Sequence, residues 1–158
     1  MADILNHMHK MLLALLLAGL SPAQTPGSAK TAVLATVHQF ADAFNKGDTK
    51  AAAAACAEQT SILDEFPPHE WHGTGACGKW MSAYAADAEK NGITEGIVTL
   101  NKPSHVDINS DHAYVVIPVN YAFKQKGKPF EEIGSILTLT LENRHSGWRI
   151  NGWAWAKH

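Results

Sequence analysis

Residues 130–142 read FEEIGSILTLTLE, and their alternation carries most of the fold. Ile133, Ser135, Leu137, Leu139 and Leu141 fall on one face of an extended chain, while Glu132, Thr138, Thr140 and Glu142 fall on the other. A strand patterned in this way buries one side and leaves the other more polar, as antiparallel sheets covered on one face do. Working outward, residues 94–109, 113–124 and 148–157 read as further strands. The turns between them fall at Ser110-Asp111, Lys126-Gly127-Lys128 and His145-Ser146-Gly147, and turns this short join antiparallel neighbours.

Upstream of Gly92 the period is helical. Val33, Leu34, Val37, Phe40, Ala41 and Phe44 stripe a helix over residues 30–46, which Gly47 ends. Asp48 caps a short Ala-rich helix running to about Ala57, and residues 60–66 form a short strand stopped by Pro67-Pro68. Gly73-Thr74-Gly75 then opens a third helix carrying Trp80, Met81 and Tyr84, closed by Asn91-Gly92. Helices first and a long meander afterwards predict an α+β domain, a curved antiparallel sheet with three N-terminal helices packed on one face.

Composition narrows the function. The 158 residues are 46% hydrophobic and 18% charged, enough apolar mass for one folded domain and too little charge for a disordered tail. The formal net charge of -2 leaves no basic footprint for nucleic acid or an anionic membrane. Residues 11–20, MLLALLLAGL, are too short to span a bilayer but fit the apolar core of a signal peptide. Residues 1–23 are therefore expected to be removed ahead of Gln24, leaving a linker over 24–29, a domain over 30–158, and a periplasmic or secreted product with no membrane attachment. Cys56 and Cys77 suit an oxidising compartment as an even pair, and fit no zinc or CxxC spacing; they are a disulfide candidate or two small buried thiols.

The order helix, short helix, strand, helix, meander, with Phe44-Asn45-Lys46-Gly47-Asp48 closing the first helix, His72-Gly73 before the third and Gly147-Trp148-Arg149-Ile150 in the last strand, resembles the SnoaL-like proteins of the nuclear transport factor two-like superfamily, which also holds ketosteroid isomerase and scytalone dehydratase. The resemblance implies a cone whose open end holds an apolar pocket between sheet and helices, and a homodimer formed through the sheet. Ketosteroid isomerases need a carboxylate base, a phenol and a protonated carboxylic acid. By the resemblance the base position falls on Asp64, the phenol position on Phe40, which has no hydroxyl, and the second acid near Ser135, a neutral donor. That machinery is incomplete, and steroid isomerisation is not assigned.

Asp64 also has a reading of its own. Ile62, Asp64 and Phe66 alternate onto one strand face, and an inward carboxylate between apolar neighbours is pushed up in pKa, which suits a general acid or base near neutral pH. The competing reading puts Leu63 in the core and Asp64 at an exposed strand end. His69-Glu70-Trp71-His72 is expected in a loop beside it, and with His38 on the first helix it could bring imidazoles to proton transfer. His-x-x-His on a loop lacks the one-face geometry of a metal pair, so no metal is expected. Catalytic candidates are thus Asp64, His72 and His38. Ligand-contact candidates are Phe40, Phe66, His69, Trp71, Trp80 and Tyr121, with Ser135, Trp153 and Trp155 on the last two strands.

Tyr121 shares a face with Val119 and Phe123, and Gly152, between the Trp148/Ile150 pair and the Trp153/Trp155 pair, marks a bulge, since otherwise the two pairs face oppositely. No phosphate loop or dinucleotide fingerprint is present, so no cofactor is expected. The expected function is a pocket for a small, largely apolar molecule, either a cofactor-free acid-base enzyme of isomerase, cyclase or dehydratase type or a non-catalytic binding module.

Overall fold

The computed structural model describes residues 25–158, so the expected signal segment lies outside the described residues. Helix α1 spans Pro26–Asn45, α2 Thr49–Ala55 and α3 Ala76–Asn91. The strands are β1 (Cys56–Leu63), β2 (Glu70–Thr74), β3 (Ile93–Leu100), β4 (His105–Asn109), β5 (His112–Gln125), β6 (Lys128–Arg144) and β7 (Gly147–Ala156). They form one sheet in the order β2-β1-β7-β6-β5-β3, with β4 also paired to β5. The α+β class is as expected from the alternation: helices lie on one face of an open, curved sheet. One pairing departs from the meander, because β1 runs parallel to β7.

Local chemistry explains most boundaries. Pro26 sits in the first turn of α1, where its missing N–H costs nothing, and the Thr25 hydroxyl accepts from Ser28 N. Residues 26–29 are therefore helix rather than the linker expected there. Asp48 caps α2 through Ala51 N at 2.9 Å. Gly47 and Gly92 follow α1 and α3 at positive φ. Asn45 grips both backbone groups of Val98, its Nδ2 donating to the carbonyl and its Oδ1 accepting from the amide, each at 2.8 Å. The last residue of α1 is thereby docked on β3.

Three sequence expectations change. The stretch 94–109 is two strands, because Pro103 has no N–H to give; Asn101 N and Ser104 N bond Pro118 and Val116 of β5 on either side of the break. The segment His69–His72, expected as loop, runs into β2, which pairs antiparallel with β1. Ile133, expected in the core, is 63% exposed. The register of β5 and β6 shifts at Gly134, which has φ +81°, so the side-chain alternation inverts and Glu132 turns inward in its place. The bulge foreseen at Gly152 is present: Thr140 pairs Gly152 and Leu141 pairs Ile150, skipping Asn151. Trp148, Ile150 and Trp153 consequently all point into the core.

That core is Val33, Val37 and Phe40 of α1 against Val115, Ile117 and Val119 of β5 and Leu137, Leu139 and Leu141 of β6. Cys56, at the end of α2, and Cys77, in the first turn of α3, are joined in a disulfide. It ties both helical segments to the start of β1.

Candidate functional site

A cavity of about 80 Å³ lies between α1, α3 and the concave face of the sheet. Val37, Phe40, Ala41 and Phe44 reach it because i, i+3, i+4 and i+7 share one helix face. Trp80 and Tyr84, four apart on α3, form the opposite wall. The sheet contributes Val98, Leu100, Tyr121, Leu137, Trp153 and Trp155, and the segment leaving β1 contributes Asp64, Glu65 and Phe66. Trp80 is the hub of the aromatic wall, with ring centroids 5.2 Å from Trp153 and 5.4 Å from Phe44.

Asp64 lies just past the last residue of β1, yet the alternation persists: Ile62 is fully buried, Leu63 is 53% exposed, and Asp64 turns back to the cavity. Its Oδ2 accepts from the indole Nε1 of Trp80 at 2.8 Å, and its Oδ1 from the amide of Glu65 at 2.7 Å. Its backbone N–H is held by the His69 carbonyl at 2.9 Å. Burial pushes the carboxyl up to about 6; the bonds from Trp80 and Glu65 N–H resist that rise, and the charges of Glu65 and Glu132 add to it.

In the same lining the hydroxyls of Tyr84 and Tyr121 are 2.5 Å apart. Burial raises both phenols, so both keep their protons at neutral pH. One O–H is used between them, which leaves a second proton free to donate. At the mouth, Lys157 Nζ bridges Glu65 at 2.9 Å and Glu132 at 3.2 Å. Glu132 also accepts from Trp155 Nε1 at 3.1 Å and from the Ser135 hydroxyl. Burial works to raise Glu132, but these donors and Lys157 outweigh it and hold the carboxyl below its ordinary value.

Of the sequence candidates, Asp64, Phe40, Phe66, Trp80, Tyr121, Trp153 and Trp155 converge on this cavity. The others do not. His38 is exposed, one residue past Val37 and off the α1 stripe. His72 faces outward from β2 and pairs with Glu70 at 3.3 Å. His69 is exposed, with Nδ1 3.2 Å from the Asp64 backbone carbonyl, and does not line the cavity. Trp71 packs behind Phe66 at 5.1 Å without lining the space, and Ser135 is fully buried against Glu132. Tyr84, Phe44 and the Glu65–Lys157–Glu132 bridge were not singled out as site residues. Tyr84 had a signal in its i+4 spacing from Trp80; the bridge joins three distant segments and had none. Among the described residues, no group of three or more His, Cys, Asp or Glu is placed to hold a metal ion.

A family model described as the SnoaL-like domain matches residues 33–153. No curated protein matches the sequence. Solved structures share the fold at low identity. A nuclear transport factor two-like superfamily protein from Salmonella enterica superposes with a TM-score of 0.71 at 12% identity, covering 84% of this chain and 93% of that one. A nuclear transport factor two-like protein with a cystatin-like fold from Novosphingobium aromaticivorans gives 0.67 at 14% identity, covering 99% of this chain and 91% of that one. A ketosteroid isomerase-like protein from Erwinia carotovora gives 0.60 at 14%, covering 80% and 94%.

Proposed function

The chain belongs to the SnoaL-like domain family, and from that premise we propose that it is a secreted pocket protein in which Asp64 exchanges a proton with a small, largely apolar molecule. The observation that carries this reading is Asp64 itself, a carboxyl raised to about 6 by burial in an aromatic wall and aimed by the Trp80 indole. A base with that value is ionised at neutral pH and still basic enough to remove a proton from a carbon or hydroxyl activated by a neighbouring polar group. The free proton of the Tyr84–Tyr121 pair supports the other half of such a step, as a donor to the oxygen on which negative charge builds. Phe40 contributes only its ring, so the phenols come from α3 and β5 in place of α1. The chemistry is of isomerase, cyclase or dehydratase type and uses side chains alone.

Export is supported by the Cys56–Cys77 bridge, a bond at home in an oxidising compartment. A homodimer through the convex sheet face is supported by the uncharged run of Ser61, Thr138, Thr140 and Ala154 there, beside exposed Leu63. A non-catalytic binding module is the second reading, favoured by the placement of His38, His69 and His72 outside the cavity, so that none of the three serves Asp64 as an imidazole relay.

Deuterium uptake from heavy water into small ketones, followed by proton NMR, separates the two. Exchange that the wild type catalyses and Asp64→Asn does not supports the enzyme. Binding without exchange in either protein decides for the module.

A further inference from the structure

We propose that the occupant of the cavity is a small organic cation, an amine or quaternary ammonium held against aromatic faces with Asp64 as its counter-ion. The proposal rests on the reading that this cavity binds a small molecule, and adds the ligand's charge. Three observations converge on it.

The first is the wall. Phe40, Phe44, Trp80, Tyr84, Trp153 and Trp155 turn rings toward the same space from α1, α3 and β7. Ring faces attract cations, Trp most strongly, and the attraction grows where water is excluded. A neutral ligand gains contact area and ring packing from such a wall, but no attraction between charge and ring face.

The second is the sign of the charges. Asp64 and Glu65 are the charged side chains lining the cavity, and both are acids. At the mouth, Glu65 and Glu132 share the ammonium of Lys157, and with Asp64 ionised the four groups carry three negative charges against one positive, a net of -2. An anionic ligand would meet no cationic side chain inside among the described residues.

The third is the state of Asp64. Among the described residues, no Lys, Arg or His nitrogen lies within 4.0 Å of its carboxylate, although each salt-bridged acid nearby has one. Its partners are the Trp80 and Glu65 N–H donors, which orient the group without neutralising it. A half-buried carboxylate facing aromatic rings and lacking a counter-charge is completed by a cation. The space of about 80 Å³ limits that cation to a methylated ammonium or a single ring with an amino group.

Calorimetric titration of the purified protein with choline and with its uncharged isostere 3,3-dimethylbutan-1-ol tests this, since the two differ only by nitrogen for carbon and the charge. At pH 7.5 choline is expected to bind at least ~10-fold tighter. At pH 5, with Asp64 protonated, the preference is expected to shrink several-fold. The other groups facing Asp64 are Glu65 and Glu132, which share Lys157, the phenols Tyr84 and Tyr121, and the His69 ring at its carbonyl; α1 faces it with apolar side chains alone. A His69→Gln variant that keeps the pH effect assigns it to Asp64. Asp64→Asn should lose the preference and keep the binding of the alcohol. Equal or tighter binding of the alcohol overturns the cation and leaves the pocket standing. Binding of neither, nor of a neutral single-ring probe such as phenol, overturns both.

Discussion

The hydroxyl oxygens of Tyr84 and Tyr121 meet directly over Gly96, so closely that a Cβ at that residue would stand 2.8 Å from each. The residue before it, Glu95, has φ 56° and lies where the register of β3 on β5 slips between Thr94 and Ile97. A bulge and a missing side chain together make the floor on which the two phenols pair.

Gly96→Ala is therefore expected to push one phenol aside and to destabilise the protein by about 1–3 kcal/mol, as overpacking does. Thermal unfolding measures it. Adding Tyr121→Phe to Gly96→Ala removes one of the clashing oxygens, and the double variant should recover part of the loss. An unchanged melting temperature for the single variant would mean that the pair does not sit on Gly96.

Asp64 sets a pH dependence whose sign is unusual for a carboxylate. Its folded value of about 6 lies above the unperturbed 3.8, so the folded chain binds more protons than the unfolded one between those limits. Stability is expected to fall as the pH rises from about 4 to 6 and then level off. The full difference converts to about 3 kcal/mol, and solvent access at the mouth reduces this to roughly 1–2 kcal/mol. Urea unfolding at pH 4.5 and 7.5 should show the drop in wild type and not in Asp64→Asn.

Trp80→Phe removes the indole donor, a bond stronger to the ionised carboxylate than to the neutral acid. The carboxyl of Asp64 should then titrate above its present value of about 6, by about one unit, while the ring cluster keeps most of its packing. Carbon-detected NMR titration of the carboxyl reads it directly. A value at or below that of the wild type would show that the indole does not hold the charge.

The Cys56–Cys77 bond closes a segment with a sequence separation of 21. In the chain-entropy account this is worth about 3 kcal/mol, so Cys56→Ala/Cys77→Ala should lose that much in denaturant unfolding. Thiol titration of unfolded, unreduced protein from an oxidising compartment should find no free thiol.

Sedimentation should find a species of twice the chain mass, with Leu63→Lys shifting it to the monomer, because a charge there would be buried on the convex face. A monomer across the micromolar range removes the sheet-mediated dimer.

The strands of the meander and all three helices are legible because each buries one face and repeats at its own period. Asp64 is legible for the same reason, since the alternation of Ile62, Leu63 and Asp64 continues one residue past the ladder. What fails is the continuation of a pattern through a point where the backbone inverts it. Gly134 turns Ile133 outward and brings Glu132 in, and the sequence marks that only by one glycine in a long strand. The histidines mislead because proximity in sequence to Asp64 is not proximity in space; β2 is a strand, and its pleat sends His72 to the opposite side from Trp71. The parallel contact of β1 with β7 joins residues nearly a hundred positions apart and leaves no local mark.

That contact also orders the making of the protein. Strand β7 stands between β1 and β6, so among the described residues it is the strand that links the β1–β2 hairpin to the others. A nascent chain that ends before Gly147 has two sheet fragments and no joint between them, with Trp153 and Trp155 still to come for the cavity wall. Strand β7 must be made before the sheet can close, and until then the β1–β2 hairpin and the β3–β6 strands remain separate halves.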